Sequence, residues 1–163
     1  MDLKLIPAQE KDIPEIAELA AVIWNQHYPS IISRDQIDYM LKMMYSAESL
    51  SEQISKKRHL FYFIQKDKKN SGFISVVKES GNDWFLNKFY IDQTTASTGI
   101  GTKAFQLLLN EITPEKITLT VNRKNFKSIN FYFKNGFTIQ EVKDFDIGNG
   151  YLMEDFIMVW KSK

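Results

Sequence analysis

The sequence predicts a mixed α+β domain with a central sheet. Apolar residues recur at helical spacing in most of the first 58 residues, and strand-like apolar runs separated by turn residues follow them. Two further helical patterns then alternate with strands towards the end of the chain. The 163 residues contain no repeat and no linker-like stretch, so we expect one domain that spans residues 1–163.

The first half is predicted from its period and its helix ends. Asp12, with Glu15 three residues later, has the pattern of a helix start, and Pro29 ends that helix. Ser33 with Gln36 repeats the pattern for a second helix. The other elements predicted in this half are a short helix at 46–55 and strands at 3–6, 60–64, 72–77 and 85–91.

The second half is predicted in the same way. An apolar face over residues 100–112 predicts a helix that Thr113 and Pro114 end. Gly148, Asn149 and Gly150 form a tight hairpin signal between the last two strands. The other elements predicted in this half are strands at 116–121, 137–142 and 152–160 and a helix at 126–134.

The composition narrows the classes of function. Hydrophobic residues make up 44% of the chain and charged residues 25%, as in an ordinary globular protein. A formal net charge of +1 gives no broad basic surface, so we expect neither nucleic acid nor a membrane as partner. The chain has no cysteine, which excludes disulfides and cysteine-ligated metals, and we predict no metal site. The sequence lacks a signal-peptide pattern and a membrane-length apolar run, so a cytoplasmic location is expected.

The segment 89–105 is the most informative part of the chain. An apolar strand runs into a polar loop with Gly99 and Gly101 and then into a helix. Backbone N–H groups at such a helix start can hold a phosphate without a charged side chain, so we expect a phosphate-bearing cofactor. A glycine-assisted helix start without any ligand is the alternative.

Two phosphate-binding motifs fit this loop poorly. Gly99, Gly101 and Ala104 match the spacing of a dinucleotide fingerprint, but about seven polar residues separate them from the strand. The next strand also ends at Asn122, where that fingerprint requires an acid. A nucleoside-triphosphate loop is excluded because Thr102 precedes Lys103.

Residues 125–137 carry a second motif, in which Asn125, Ser128 and Tyr132 precede Gly136 and Phe137. Together with residues 91–101, this motif closely resembles the GNAT superfamily of acetyl-CoA-dependent N-acetyltransferases. The resemblance covers nearly the whole chain by element order. It implies a mostly antiparallel sheet of six to seven strands flanked by helices, and acetyl-CoA as co-substrate.

The resemblance also implies the cofactor-binding residues. The strand before the loop would pair through its backbone with the pantetheine arm, and a backbone N–H near Tyr90 or Ile91 would bind the thioester carbonyl. The loop would hold the pyrophosphate, although Ala96 and Thr98 stand where the family often has Arg or Gln and a basic residue. The full implied set is Tyr90, Ile91, Ser97, Thr98, Gly99, Ile100, Gly101, Thr102, Asn125 and Ser128.

The register of the second motif implies that Tyr132 is the general acid that protonates the leaving thiolate. A core aromatic position is the alternative for Tyr132. The general base stays open, because the strand before the loop has Asn87 and Lys88 and no acid. The candidates for the base are water, the backbone, His27 and four carboxylates near the last hairpin: Asp144, Asp146, Glu154 and Asp155.

The implied acceptor is a primary amine of a small molecule. The stretches around Tyr28 and Tyr39 and residues 148–158 look like the bacterial branch that includes polyamine acetyltransferases. His27, Tyr28, Glu154 and Asp155 are the predicted substrate-binding residues. An amino acid, an aminoglycoside or a peptide or protein amine stays open as acceptor, and a homodimer stays open as assembly. The alternatives to this enzyme are an acyl-CoA-binding regulatory module with weak or lost chemistry and, more distantly, a Rossmann-type oxidoreductase.

Overall fold

The computed structural model describes residues 2–95 and 99–163, and these residues fold into a mixed α+β domain, as predicted. The described residues form seven strands and five α-helices. The strands are β1 (Leu3–Ala8), β2 (Leu60–Lys66), β3 (Lys69–Ser80), β4 (Asp83–Ile91), β5 (Lys116–Asn122), β6 (Thr138–Gly148) and β7 (Tyr151–Lys161). The helices are α1 (Ile13–His27), α2 (Arg34–Tyr45), α3 (Ala47–Ser55), α4 (Ile100–Ile112) and α5 (Phe126–Lys134), and a 3₁₀ turn (Glu10–Asp12) precedes α1.

The strands of the described residues make one seven-stranded sheet in the order β1-β2-β3-β4-β5-β7-β6. The neighbours pair antiparallel except β4 and β5, which are parallel, so the prediction of a mostly antiparallel sheet is confirmed. The parallel pair is short: it joins residues 83–85 to residues 116–118. Beyond Phe85 the two strands separate, which leaves an opening in the middle of the sheet.

A β-bulge lies in β4 at the start of this opening. Lys88 pairs with Ser75 and Leu86 pairs with Val76, so Asn87 has no partner residue in β3. The extra residue shifts the alternation of side chains. Leu86 packs in the core on one face of the sheet, whereas the ammonium of Lys88 lies over aromatic rings of the core on the other face.

Each face of the sheet has its own core. The helices α4 and α5 cover one face, where Phe105, Leu108 and Ile129 are buried. The helices α1, α2 and α3 cover the other face, where Trp24 and Ile37 are buried. The opening between β4 and β5 therefore connects two helical layers.

The capping residues explain one helix start and correct another. The hydroxyl of Ser33 accepts a hydrogen bond from the Gln36 N–H at 3.1 Å, as the sequence predicted for α2. The predicted cap at Asp12 is wrong, because its side chain does not cap α1. The Asp12 carboxylate instead accepts the Gln9 N–H at 2.8 Å and stabilises the 3₁₀ turn.

Candidate active site

Two cavities meet at the opening between β4 and β5. The outer one, of about 480 Å³, lies beside the start of α4. The inner one, of about 110 Å³, lies under α1 and α2. Both are lined by Phe89, Tyr90, Ser128 and Tyr132, so these side chains mark the junction. A long ligand in the outer cavity can therefore present its end to a second ligand in the inner one.

The start of α4 gives the outer cavity a backbone site that can bind an anion. Gly99, which precedes the helix, has φ of 85°, a left-handed conformation that favours glycine. A Cβ on Gly101 would lie 2.7 Å from a ring carbon of Phe131, so this position also requires glycine. The first turn carries no acidic residue, and its N–H groups have no partner within the helix. The helix start and its dipole therefore favour a phosphate group.

The predicted loop contacts are only partly described. Ile100 and Thr102 line the outer cavity together with the two glycines. The hydroxyl of Thr102 accepts a hydrogen bond from the Asn135 amide at 3.3 Å. Ser97 and Thr98, and with them Ala96, lie outside the described residues.

Two lysines of α5 that sequence reasoning missed also line the outer cavity. Lys127 and Lys134 are seven residues apart, which places them on the same side of the helix. The two residues bring positive charge to this cavity. The seven-residue spacing of these lysines within the second motif is the sequence signal from which they could have been predicted.

The open edge of β4 offers backbone donors. The Asp92 N–H donates to the Ser71 carbonyl of β3 at 2.7 Å. Because backbone groups of successive residues in a strand point to opposite sides, the N–H of Ile91 faces the opening and that of Tyr90 faces β3. By the same alternation the N–H of Phe89 faces the opening. Of the two predicted donors the geometry therefore favours Ile91, and it adds Phe89, which sequence reasoning missed because the strand register was not known.

Asn125 joins three elements around the opening. Its Oδ1 accepts the N–H of Ser128 at 3.3 Å, which caps α5, and a hydrogen bond from His27 Nε2 at 3.1 Å. The other ring nitrogen of His27 accepts a hydrogen bond from the Gln93 amide at 3.2 Å. Burial lowers the pKa of His27, so the ring is neutral at pH 7 and both nitrogens are engaged. His27 lines the outer cavity, and its contacts are those of a structural link between α1, the loop and α5.

The walls of the inner cavity combine aromatic, thioether and polar side chains. Trp24, Tyr28, Tyr90 and Tyr132 line it, as do Met40, Met44 and Met153. The hydroxyls of Tyr28 and Tyr90 share a hydrogen bond of 3.0 Å, so these two phenols are paired with each other. Such walls suit an apolar chain and can also contact a cation through the ring faces.

Tyr132 differs from these two tyrosines. Its ring packs against Phe137 at a centroid distance of 5.4 Å, yet the side chain lines both cavities. Among the described residues no group makes a hydrogen bond with its hydroxyl. Burial raises the pKa of the phenol, so it keeps its proton at neutral pH. The side chain is thus a core residue that also places a protonated hydroxyl at the junction.

Asp155 is a buried carboxyl in the inner cavity. The residue is 1% exposed, and its carboxyl lies near the hydroxyl of Thr120 without a well-formed hydrogen bond to any described residue. Burial raises the pKa of Asp155 to about 6, although the nearby guanidinium of Arg123 lowers it in part. The neighbouring Glu154 is exposed and forms an ion pair with Arg123 at 3.4 Å, so the structure does not bring it into the cavity with Asp155.

Two absences among the described residues bear on the class of function. They contain no helix that is long and apolar enough to span a membrane. Within residues 2–95 and 99–163 there is also no group of three or more His, Cys, Asp or Glu side chains that could hold a metal ion.

Comparison with known proteins places this geometry in a family. The model of the acetyltransferase (GNAT) domain matches residues 30–150. The chain is 28% identical over 162 residues to a spermidine N(1)-acetyltransferase of Thermoplasma acidophilum, with 94% of this chain and 97% of that protein covered. The crystal structure of PaiA N-acetyltransferase from the same organism, in complex with coenzyme A, is similar with a TM-score of 0.77 and 26% identity, over 99% of this chain and 100% of the other. An acetyltransferase from Thermus thermophilus shares the fold, with a TM-score of 0.75 and 14% identity over 99% and 98% of the two chains.

The carboxyl of Asp155 makes stability depend on pH in a defined direction. Its pKa is about 6 in the folded protein and about 4 in an unfolded chain. Protonated Asp155 therefore contributes stability below about pH 4, and this contribution is lost as the pH rises through 6. We expect the free energy of unfolding of wild type to fall by about 1 to 3 kcal/mol relative to Asp155→Asn between pH 4 and pH 7.

Urea unfolding of both proteins at pH 4, 5, 6 and 7 measures this difference. Glu154→Gln is the matched control, since Glu154 is the neighbouring acid and is exposed. The free energy of unfolding of wild type should not show this fall relative to Glu154→Gln. A constant difference between wild type and Asp155→Asn over this range would show that Asp155 titrates normally.

Proposed function

Since the chain belongs to the GNAT family of acetyltransferases, we propose that it transfers the acetyl group of acetyl-CoA to the primary amine of a small molecule. The observation that carries this proposal is the position of Tyr132 at the junction of two cavities. One cavity has a phosphate-binding helix start, and the other has aromatic walls and a buried carboxyl. These are the requirements of a direct transfer between a phosphate-bearing donor and a cationic acceptor.

The residues of the outer cavity fit acetyl-CoA. The start of α4, from Gly99 to Thr102, and the ammonium groups of Lys127 and Lys134 would hold its phosphates. The open edge of β4 would bind the amides of the pantetheine arm as an added strand does, with the N–H groups of Phe89 and Ile91 as donors. Asn125, whose Oδ1 is occupied, keeps its amide N–H groups for the same arm.

Acetyl-CoA supplies an acetyl group that is activated as a thioester. Tyr132 holds a proton at the junction and donates it to the thiolate as that group leaves. The phenolate then takes the second proton that the attacking nitrogen loses as the amide forms, the first having gone to Asp155. A free thiol has a pKa near 8.5 and a phenol near 10, and burial raises the pKa of Tyr132 further, so the phenol stays protonated until the thiolate forms. A backbone N–H of the β4 edge stabilises the carbonyl oxygen.

Asp155 attracts the acceptor and takes its proton. An alkyl ammonium is neutral at pH 7 in only about one molecule in 2,500, so a nearby base is needed. Asp155 is the carboxyl that lines the inner cavity together with Tyr132. With a pKa of about 6 it is ionised at pH 7 and can still accept a proton. His27 is a poorer candidate because both of its nitrogens are engaged.

The small volume of the inner cavity, about 110 Å³, favours a small acceptor over a peptide or protein amine. The Tyr39 hydroxyl donates to the Ile147 carbonyl at 2.6 Å, and the Gln36 amide donates to the Leu152 carbonyl at 3.2 Å. These two bonds hold the β6–β7 hairpin against α2, and both elements contribute side chains to the cavity. A polyamine is the first acceptor to test, since the name of one relative is spermidine N(1)-acetyltransferase.

Ligand-dependent stabilisation and turnover together test this function. Acetyl-CoA at about 100 times its Kd should stabilise the protein by about 2.7 kcal/mol in thermal unfolding, and NAD at the same concentration should not. Thiol release from acetyl-CoA should then depend on an added amine, with spermidine, alkylamines and amino acids as the panel. Stabilisation without release by any amine would favour an acyl-CoA-binding module instead.

Replacement of Tyr132 by phenylalanine tests the proton donor. We expect Tyr132→Phe to lower kcat for acetyl transfer by about 100-fold, because the thiolate then leaves without a proton. Binding of acetyl-CoA, measured by calorimetry, should change little. Tyr45→Phe is the matched control, since Tyr45 is equally buried but lines neither cavity, and its kcat should equal that of wild type. Equal rates for wild type and Tyr132→Phe would remove Tyr132 from the mechanism.

Replacement of Asp155 by asparagine tests the base. We expect kcat/KM for the amine to fall by about 100-fold at pH 7 in Asp155→Asn. Wild-type kcat/KM should rise with pH through the pKa of Asp155, about 6, because the carboxylate must be free to accept a proton. The variant should lack this rise, and Glu154→Gln should keep it. A wild-type profile without an inflection near pH 6 would contradict the role of Asp155.

A further inference from the structure

Arg123 follows the last residue of β5 and connects that strand to the β6–β7 hairpin. Its backbone N–H donates to the Glu154 carbonyl at 2.9 Å, and its Nη1 donates to the Asp155 carbonyl at 3.1 Å. The same Nη1 forms an ion pair with the Asp144 carboxylate at 2.8 Å, and Nη2 forms one with the Glu154 carboxylate at 3.4 Å. One side chain therefore contacts both strands of the hairpin beside Asp155.

These contacts leave the carboxyl of Asp155 open to the cavity. The guanidinium of Arg123 binds the main-chain carbonyl of Asp155, and neither carboxyl oxygen has a well-formed hydrogen bond to any described residue. A direct ion pair with the guanidinium would occupy an oxygen that the proposed mechanism needs as a proton acceptor. Binding to the carbonyl brings a positive charge close to the carboxyl without using these oxygens.

The ionisable side chains that share the inner cavity with Asp155 include three tyrosines. Tyr28 of α1, Tyr90 of β4 and Tyr132 of α5 line this cavity. Burial raises the pKa of each phenol, so all three are neutral at pH 7. The described side chains that α2 and β5 contribute to the cavity are uncharged. None of these groups therefore supplies a charge that stabilises a carboxylate.

Two lysines lie near Asp155 in the sheet, but their ammonium groups have other neighbours. Lys88 of β4 lines the cavity, and its ammonium donates to Oε1 of Gln53 at 2.7 Å, on the side of α3. Lys143 of β6 is opposite Asp155 in the strand register, and its ammonium lies 5.3 Å from the ring centre of Phe145 on its own strand. Among the described residues, the guanidinium is thus the cationic group that binds Asp155.

Two opposite charges act on the carboxyl of Asp155. Burial is the largest cause of its raised pKa, the charge of Arg123 opposes the rise, and the charge of Asp144 adds to it. Arg123 and Asp144 are themselves an ion pair. Removal of either partner should therefore change the ionisation of Asp155, and the two removals should act in opposite directions.

We propose that Arg123 is a positioning residue for Asp155, which holds the backbone of residues 154 and 155 at the end of β5 and stabilises the ionised carboxyl in the inner cavity. The proposal rests on the proposed acetyl transfer, in which Asp155 takes the proton of the amine. It gives Arg123 two effects that can be separated, one through its charge and one through the hydrogen bonds of its planar guanidinium.

The pKa of Asp155 measures the effect of charge without any turnover. Carbon-13 NMR of protein labelled at the aspartate carboxyl carbons follows this pKa, and the signal that is absent in Asp155→Asn assigns it. We expect the pKa to rise by about one unit in Arg123→Gln and to fall in Asp144→Asn, whereas Arg123→Lys, which keeps the charge, should stay near wild type. Lys116→Gln is the matched control, because Lys116 pairs with Asp83 at 3.7 Å at the other end of β5, and it should cause no shift.

The pH profile of acetyl transfer measures the effect on position. On the high-pH plateau Asp155 is ionised in every variant, so charge no longer limits kcat/KM for the amine. We expect this plateau to be about tenfold lower in both Arg123→Gln and Arg123→Lys, because neither side chain has the donors to bind the Asp155 carbonyl and both carboxylates at once. The KM for acetyl-CoA should not change, and Lys116→Gln should keep the wild-type plateau.

The outcomes distinguish this inference from the proposed function. An unchanged pKa of Asp155 in Arg123→Gln would overturn the effect of charge, as would a rise in both Arg123→Gln and Asp144→Asn, since these variants remove opposite charges. A wild-type plateau in Arg123→Lys would overturn the effect on position. Absence of acetyl transfer to any amine would overturn the proposed function, and the NMR result would still decide whether Arg123 controls the ionisation of Asp155.

Discussion

The separation of β4 from β5 is the constraint on which the site depends. The parallel pairing ends at Phe85, and each strand then keeps its other neighbour, β3 or β7. The facing edges are thus left with backbone groups that lack partners in the sheet. Buried backbone groups are rarely left without a hydrogen bond, so such an edge requires water or a ligand with amide groups. The bulge at Asn87 contributes as well, because it places Leu86 and Lys88 on opposite faces of the sheet.

The two ends of the site are linked through one short helix. The helix α5 supplies Tyr132 at the junction and Lys127 at the outer cavity, and its first turn depends on Asn125. Because the same amide oxygen accepts hydrogen bonds from α5 and from His27, the start of α5 is tied to α1. A displacement of α5 would therefore move Tyr132, Lys127 and Asn125 together.

The sequence predicts the elements that have strong end signals and misses the features that depend on register. The bounds of α4 and α5 are as predicted, since glycine, proline and asparagine mark their ends. Strand β6 is predicted to end at residue 142 but extends to Gly148, because a polar edge strand has the composition of a loop. Glu154 and Asp155 look equivalent in the sequence, yet successive residues of a strand face opposite sides, and only the register selects Asp155. The bulge at Asn87 is likewise invisible without the pairing to β3.

Burying charged groups at the inner cavity lowers the stability of the fold, and this loss of stability indicates that the groups serve a function. Taking one ion out of water costs several kcal/mol, and a pair recovers that cost only when the two ions meet. Asp155 and Lys88 are both nearly fully buried and are not paired with each other. The shift of each pKa towards the neutral form is the expected response of unpaired buried charges. A cationic acceptor in the inner cavity would supply the partner that Asp155 lacks, and that attraction would then contribute to binding.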